Sequence, residues 1–100
     1  MSYEKINYEN SWTKPGEGLL FEKTTAVFLM DLSSSHFKSL MTELPKIVKK
    51  LGKGAKVKQD GPSSIYVGPI DNGLMAGQEI SKVLKKFKIR HPADVDMRVG

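Results

Sequence analysis

Two segments of this chain place apolar residues three or four positions apart, the spacing of one face of an α-helix. Strand-like segments stand before and after each of them. Because the apolar side of such a helix must pack on another layer, the two stripes restrict the fold to helices that cover a sheet. The stripes are Phe37, Leu40, Met41, Leu44, Val48 and Leu51 in the first segment, and Ala76, Ile80, Val83, Leu84 and Phe87 in the second.

The strand-like segments complete the order of elements. Residues 25–32 are apolar on both sides of their alternation, which is typical of a central strand. Residues 55–59 and 64–67 flank turn residues at 60–62 and form a predicted hairpin, and residues 95–99 alternate as a last strand. The order β-α-β-β-α-β predicts an α+β fold: a two-layer α/β sandwich, ferredoxin-like or related, with both helices on one face of a mostly antiparallel sheet.

Local signals mark the helix ends. Hydroxyls at residues 33–35 can cap the first helix, residues 71–73 supply a cap for the second, and Gly52 ends the first. Pro45 lies inside the first stripe and removes an internal hydrogen bond, so we expect either a kink or a new helical segment with Pro45 in its first turn. Gly77 inside the second helix predicts close packing on the sheet.

A chain of 100 residues has room for one domain. We assign residues 19–100 to that domain and residues 1–18, which are polar and show no period, to a flexible or draped arm. The aromatic residues Tyr3, Tyr8 and Trp12 pack either on the domain, the alternative we favour, or on a partner. The predicted core is Phe21, Ala26, Phe28, Met30, Phe37, Leu40, Met41, Leu44, Val48, Leu51, Val57, Ile65, Val67, Ile80, Val83, Leu84, Phe87 and Val95.

Residue types exclude several kinds of chemistry. Without cysteine there is no disulfide, no thiolate metal site and no Cys nucleophile. His36 and His91 have no partners at metal-ligand spacing, so capping or surface roles are favoured, and Asp94 and Asp96 are typical of a solvated strand edge. We therefore expect no catalytic residue, no metal and no cofactor, and interpret the chain as a binding protein, not an enzyme.

The chain carries no apolar run near the roughly 18 residues that span a bilayer, and its N-terminus lacks the apolar stretch of a signal peptide. These features predict a cytoplasmic protein without a membrane partner.

Positive charge is concentrated in the second part of the chain. The net charge is +5, and residues 37–100 hold eleven Lys and two Arg against six acidic residues. Cations near a helix C-terminus are favourable by about 0.3–1 kcal/mol each, so a solvated basic face is one interpretation. Closely spaced like charges repel unless an anion is near, so we favour a polyanion-binding surface. Two runs without an acid form it: Lys46, Lys49, Lys50, Lys53, Lys56 and Lys58, then Lys82, Lys85, Lys86, Lys88 and Arg90.

The predominance of lysine indicates how a nucleic acid would be recognised. Lysine acts as a point charge for phosphate, whereas reading of base edges favours arginine. The pattern therefore predicts recognition of RNA backbone or shape, with Tyr66 as the one candidate for stacking on a base.

The segments KKLGKGAKVKQDG, SSIYVGPI, VLKKFKI and VDMRVG resemble the initiation-factor-one (Sui) family of translation factors over roughly residues 23–100. The resemblance implies an RNA- or ribosome-associated protein. That family's basic N-terminal loop has no counterpart here, so the likeness does not extend to start-site selection. Matching positions are Lys49, Lys50, Gly52, Gly54, Val57, Lys58, Asp60, Gly61, Gly68 and Val99.

A rival resemblance is to the SPOR domain, which shares the β-α-β-β-α-β order and often carries Val-Gly-Pro before its second helix, as residues 67–69 do here. That likeness implies a module that binds peptidoglycan glycan strands through its sheet, where Tyr66 would matter most. A third hypothesis is an adaptor, phage-type or regulatory, that docks its basic face on an acidic protein. Steep salt dependence distinguishes RNA binding from glycan binding, and protein docking requires its partner.

Overall fold

The computed structural model describes residues 3–11, 25–51 and 54–100. The helices and strands in these residues are β1 (Glu4–Ile6), α1 (Tyr8–Ser11), β2 (Ala26–Leu32), α2 (Ser34–Leu51), β3 (Lys56–Gln59), β4 (Ser64–Ile70), α3 (Gly73–Lys86) and β5 (Val95–Val99).

The strands form one sheet in the order β1-β5-β2-β4-β3, and each neighbouring pair is antiparallel. Helix α2 packs against α3 and against β2, β3 and β4. Elements β2 to β5 follow the predicted β-α-β-β-α-β order, which confirms the two-layer α+β sandwich. β1 adds a fifth strand beside β5, an addition that the sequence did not predict at these residues.

The core lies between the sheet and the two long helices. Phe28 and Met30 point from β2 toward this layer, and Leu44 of α2 and Leu84 of α3 meet them from the other side, each with no exposed surface. Five predicted core residues, Phe37, Met41, Leu51, Val57 and Phe87, are half-buried and pack against the core. Phe21 lies outside the described residues. Core residues absent from the predicted set are Ile6, Tyr8, Val27, Leu32, Ile70, Ala76, Ile89, Met97 and Val99.

Helix α2 runs without interruption through Pro45, so the predicted alternative of a new helical segment at this residue is wrong. Pro45 is exposed, whereas Leu40, Leu44 and Val48 are buried along the opposite side. Burial of that stripe offsets the backbone hydrogen bond that proline cannot donate. At α3 the predicted cap is confirmed, because the Asn72 side chain accepts a hydrogen bond of 3.0 Å from the Met75 N–H.

The predicted hairpin is confirmed as β3 and β4, with Lys58 opposite Tyr66. β4 continues to Ile70, three residues beyond the predicted end at Val67. Its continuation is irregular, since the pairing with β2 shifts register between Ala26 and Phe28. Gly68 has a φ of 131° at this point, and a Cβ there would stand 2.9 Å from the Ala26 carbonyl oxygen.

The described part of the N-terminal arm packs on the domain. Ile6 is 6% exposed on β1, and Tyr8 is 1% exposed at the start of α1. The Tyr8 hydroxyl donates a hydrogen bond to the backbone carbonyl of Ile89, just after α3. The favoured packing of Tyr8 on its own domain is thus confirmed, while Trp12 lies outside the described residues.

Candidate nucleic-acid interface

The predicted basic residues lie in three places on the described surface. The first is the C-terminal part of α2, where Lys46, Lys49 and Lys50 are exposed. Lys46 stands 3.8 Å from the Glu43 carboxylate. Within the described part of the chain, no carboxylate lies within ion-pair distance of Lys49 or Lys50. Lys53 lies outside the described residues.

The second place is the sheet face opposite the helices, which we call the open face. Val57 packs on the core, so its neighbours Lys56 and Lys58 point to the open face. The Lys58 ammonium lies 4.6 Å from the centre of the Tyr66 ring, a cation–π contact. The hairpin register brings these two residues together.

The third place is the end of α3. Lys82 pairs with Glu79 at 3.1 Å, one turn earlier on the same helix. Farther along the chain the side chains of Lys85, Lys86 and Lys88 are exposed, and the Lys86 ammonium lies 5.5 Å from the centre of the Phe87 ring. Inside the described ranges, none of these three lysines has a carboxylate at ion-pair distance.

The fold separates the two helix ends. β2 and β4 are antiparallel, and each is followed by a helix that reverses direction, so α2 and α3 run antiparallel. His36, near the start of α2, shares a cavity lining with Lys85 and Lys88 at the end of α3. At the other end, Lys50 of α2 borders Glu79 of α3. The two lysine runs therefore occupy opposite ends of the helical layer and do not form one surface.

The end of α3 carries a concave basic site, which we call the α3-end groove. It has a volume of about 660 Å³ and is lined by His36, Lys85, Lys88, Arg90 and Asp94. The single carboxylate in this lining is already engaged: Asp94 Oδ2 accepts a hydrogen bond from the Arg90 backbone N–H at 3.0 Å and lies 3.9 Å from its guanidinium. Two lysines and the remaining donors of Arg90 stay directed at one concavity, an arrangement suited to an anionic ligand.

The backbone at Lys88 is unusual for a lysine. Its φ of 56° lies in the left-handed region, in the turn that directly follows α3. Glycine is the residue favoured at this helix-end position, and a side chain there costs on the order of 1 kcal/mol. The turn is closed by backbone bonds from Lys88 to Lys85 at 3.0 Å and from Ile89 to Leu84 at 2.9 Å. A cation is thus held at the groove in a conformation that disfavours it.

A row of residues crosses the open face on all five strands. Lys5 pairs with Arg98, Arg98 with Leu29, Leu29 with Tyr66, and Tyr66 with Lys58. Arg98 and Lys5 are neutralised within the sheet. The Arg98 guanidinium lies 3.1 Å from Asp96 and 3.5 Å from Asp31, and the Lys5 ammonium lies 3.7 Å from Asp96.

Tyr3 joins Tyr66 at this surface. Partial burial raises the pKa of the Tyr3 phenol, and the negative charge that Tyr66 and Asp60 can carry raises it further. The electrostatic effect of Tyr66 requires the two phenols to be neighbours in space. The open face therefore carries an aromatic pair, whereas the sequence pointed to Tyr66 alone.

The remaining candidates have structural surroundings. The His91 ring packs edge-on against Tyr8 with centroids 6.1 Å apart, and its Nδ1 lies 3.2 Å from the Val95 carbonyl. Asp94 lies before β5 and Asp96 within it, and each pairs with a different arginine. Among the described residues, no three His, Asp or Glu side chains stand together as a metal site would need.

Sequence reasoning found the cations of the α3-end groove but not the groove itself. Assigning His36 to it requires the antiparallel arrangement of α2 and α3. Leu29 and Arg98 join the Tyr66 surface only through strand order, which is set by pairing between distant segments.

No protein-family model, no curated protein and no solved structure matches this chain. In the described ranges, no helix is both long and apolar enough to cross a membrane.

Proposed function

We propose that this protein binds RNA through its phosphate backbone, with the α3-end groove as the principal site. One observation carries the proposal: Lys85, Lys88 and Arg90 converge on a single concavity whose only lining carboxylate, Asp94, is bound to Arg90. Phosphates are the biological anions that such a cluster of cationic donors fits best, and RNA presents them as a continuous series.

The left-handed Lys88 supports a functional role for the groove. A glycine would satisfy the turn after α3 without strain, yet a lysine occupies it and directs an ammonium to the groove lining. Strained positions of this kind concentrate at binding sites, where the surrounding structure sustains their cost.

The lysine-rich character of the groove favours recognition of backbone and shape over base sequence. Together with the resemblance to the initiation-factor-one family, this leads us to propose a ribosome-associated, translation-factor-like role in the cytoplasm. The basic ends of α2 and β3 would then act as secondary contacts, which add to affinity through long-range attraction.

A charge-reversal experiment tests the site. Fluorescence anisotropy with a labelled structured RNA, at about 50 and about 200 mM salt, would compare the native protein with K85E/K88E and with K49E/K50E. The second variant is a matched control because it reverses two lysines at the end of the other long helix. We expect K85E/K88E to weaken binding by about 10-fold or more, and K49E/K50E to weaken it only a few-fold.

The salt dependence provides an independent readout. Each lost phosphate contact on single-stranded RNA lowers the slope of log K against log salt by about 0.7, so K85E/K88E should lower it by about 1.4. Equal losses in both variants would contradict the assignment to the groove. Absence of RNA binding by the native protein would contradict the proposed function itself and leave an acidic protein partner, the adaptor hypothesis, as the favoured alternative.

A further inference from the structure

We propose that the open face of the sheet binds unpaired nucleobases, so the RNA that this protein recognises contains a single-stranded segment. The inference rests on the proposed RNA-binding function and adds a second surface, on the opposite side of the sheet from the helices.

The first observation is the row of paired residues that crosses the sheet. Its central members Leu29 and Tyr66 are half-buried and adjacent, and they form an apolar and aromatic platform. Lys58 and Arg98 flank the platform on either side. Neighbouring strands lie about 4.8 Å apart, so these four side chains cover roughly 15 Å, enough for two or three stacked bases.

The second observation is the state of the Tyr66 ring. Its partner Lys58 lies over the ring at 4.6 Å, and no carboxylate of the described chain stands at ion-pair distance from that ammonium. A base that stacks on Tyr66 displaces Lys58 from the ring, and the freed ammonium can then bind the phosphate of the same nucleotide. Stacking and phosphate binding are thus coupled within one cross-strand pair.

The third observation is charge complementarity. The open face carries four cations, Lys5, Lys56, Lys58 and Arg98, against two carboxylates, Asp31 and Asp96. Both carboxylates pair with Arg98, and Asp96 also pairs with Lys5, so the excess positive charge lies on β3. We infer that bases lie over Tyr66 and Leu29 while the phosphates follow Lys56 and Lys58.

This arrangement distinguishes single strands from duplexes. In an A-form duplex the bases are stacked on one another and cannot reach a half-buried ring on a sheet, whereas the bases of a single strand can turn out and stack on it. Base stacking on an aromatic side chain is sequence-tolerant, with adenine favoured over uracil because its surface is larger.

The experiment compares two probes and two variants. The probes are labelled adenosine homopolymers of about 10 nucleotides and an RNA duplex of similar length. The variant Tyr66→Leu removes the aromatic ring but keeps an apolar side chain, and Tyr66→Phe is the matched control because it keeps the ring. We expect Tyr66→Leu to weaken single-strand binding about 10-fold and to leave duplex binding unchanged, with Tyr66→Phe close to the native protein.

The outcomes separate the two proposals. If the native protein binds neither probe, the proposed function fails. If it binds RNA, but Tyr66→Leu leaves single-strand affinity intact or lowers both affinities equally while its thermal unfolding matches that of Tyr66→Phe, the open-face inference alone is wrong. Salt-insensitive binding of a peptidoglycan glycan strand that is lost in Tyr66→Leu would assign the face to carbohydrate and would also overturn the inference.

Discussion

The Tyr8 hydroxyl donates a hydrogen bond to the backbone carbonyl of Ile89, although the two residues stand 81 positions apart in the chain. Both are buried, at 1% exposure each, so this bond ties the N-terminal segment to the turn after α3, next to the groove residues Lys88 and Arg90.

Removing that hydroxyl should destabilise the fold. Tyr8→Phe keeps the ring but leaves the buried Ile89 carbonyl without this donor, which costs about 1–3 kcal/mol in the free energy of unfolding. Urea denaturation measures the change. Tyr66→Phe is the control, since it deletes a hydroxyl at a half-buried position and should cost less than about 0.5 kcal/mol. Equal costs for the two variants would contradict the role of the Tyr8 bond.

Stability should also depend on pH through Tyr8. Burial raises the pKa of the Tyr8 phenol above its ordinary value of 10.0, and the nearby charges of Glu9 and Asp94 add to the shift. The folded protein therefore holds this proton more tightly than the unfolded chain. The contribution is fully present below pH 10.0 and is lost as the pH rises through the folded-state pKa. The stability difference between the native protein and Tyr8→Phe should shrink above this pH in parallel denaturation series; a constant difference would contradict the prediction.

Gly68 and Gly54 form a matched pair of left-handed glycines with different surroundings. A Cβ at Gly68 would lie 2.9 Å from the Ala26 carbonyl oxygen and 3.1 Å from the Val27 Cα, whereas at Gly54 it meets nothing within 4 Å. We expect Gly54→Ala to cost about 1 kcal/mol from backbone strain alone. Gly68→Ala should cost about 2 kcal/mol more because β2 and β4 must move apart. Denaturation midpoints that rank the two variants in the opposite order would contradict the account of this crossing.

Lys88 should respond to mutation in opposite directions for stability and binding. Lys88→Gly relieves the left-handed backbone and should raise the free energy of unfolding by up to about 1 kcal/mol. It also removes a groove cation, so RNA affinity should fall several-fold. Thermal unfolding and anisotropy on the same preparation measure both effects. Unchanged affinity in a stabilised variant would remove Lys88 from the binding site.

Sequence patterning predicted the elements that bury long apolar stripes. Helix α3 and the hairpin follow from spacing and turn residues, because each signal is local. β1 escaped prediction: two of its three residues are exposed, and only Ile6 contributes to the core, so it has no alternation to detect. Pro45 suggested a break in α2 that burial of Leu44 and Val48 overrides.

The candidate sites needed three-dimensional information. Both lysine runs lie at helix ends in the sequence, but whether they meet depends on the relative direction of α2 and α3, which the strand order determines. The pairing of Lys58 with Tyr66 likewise depends on the hairpin register. Local propensity does not encode these relationships between distant segments.

Backbone amide chemical-shift mapping of the native protein during addition of structured RNA tests the central claim most directly. We predict that the largest changes occur at His36, Lys85, Lys88 and Arg90, around the α3-end groove. Changes concentrated at Lys46, Lys49 and Lys50, or no changes at all, would contradict it.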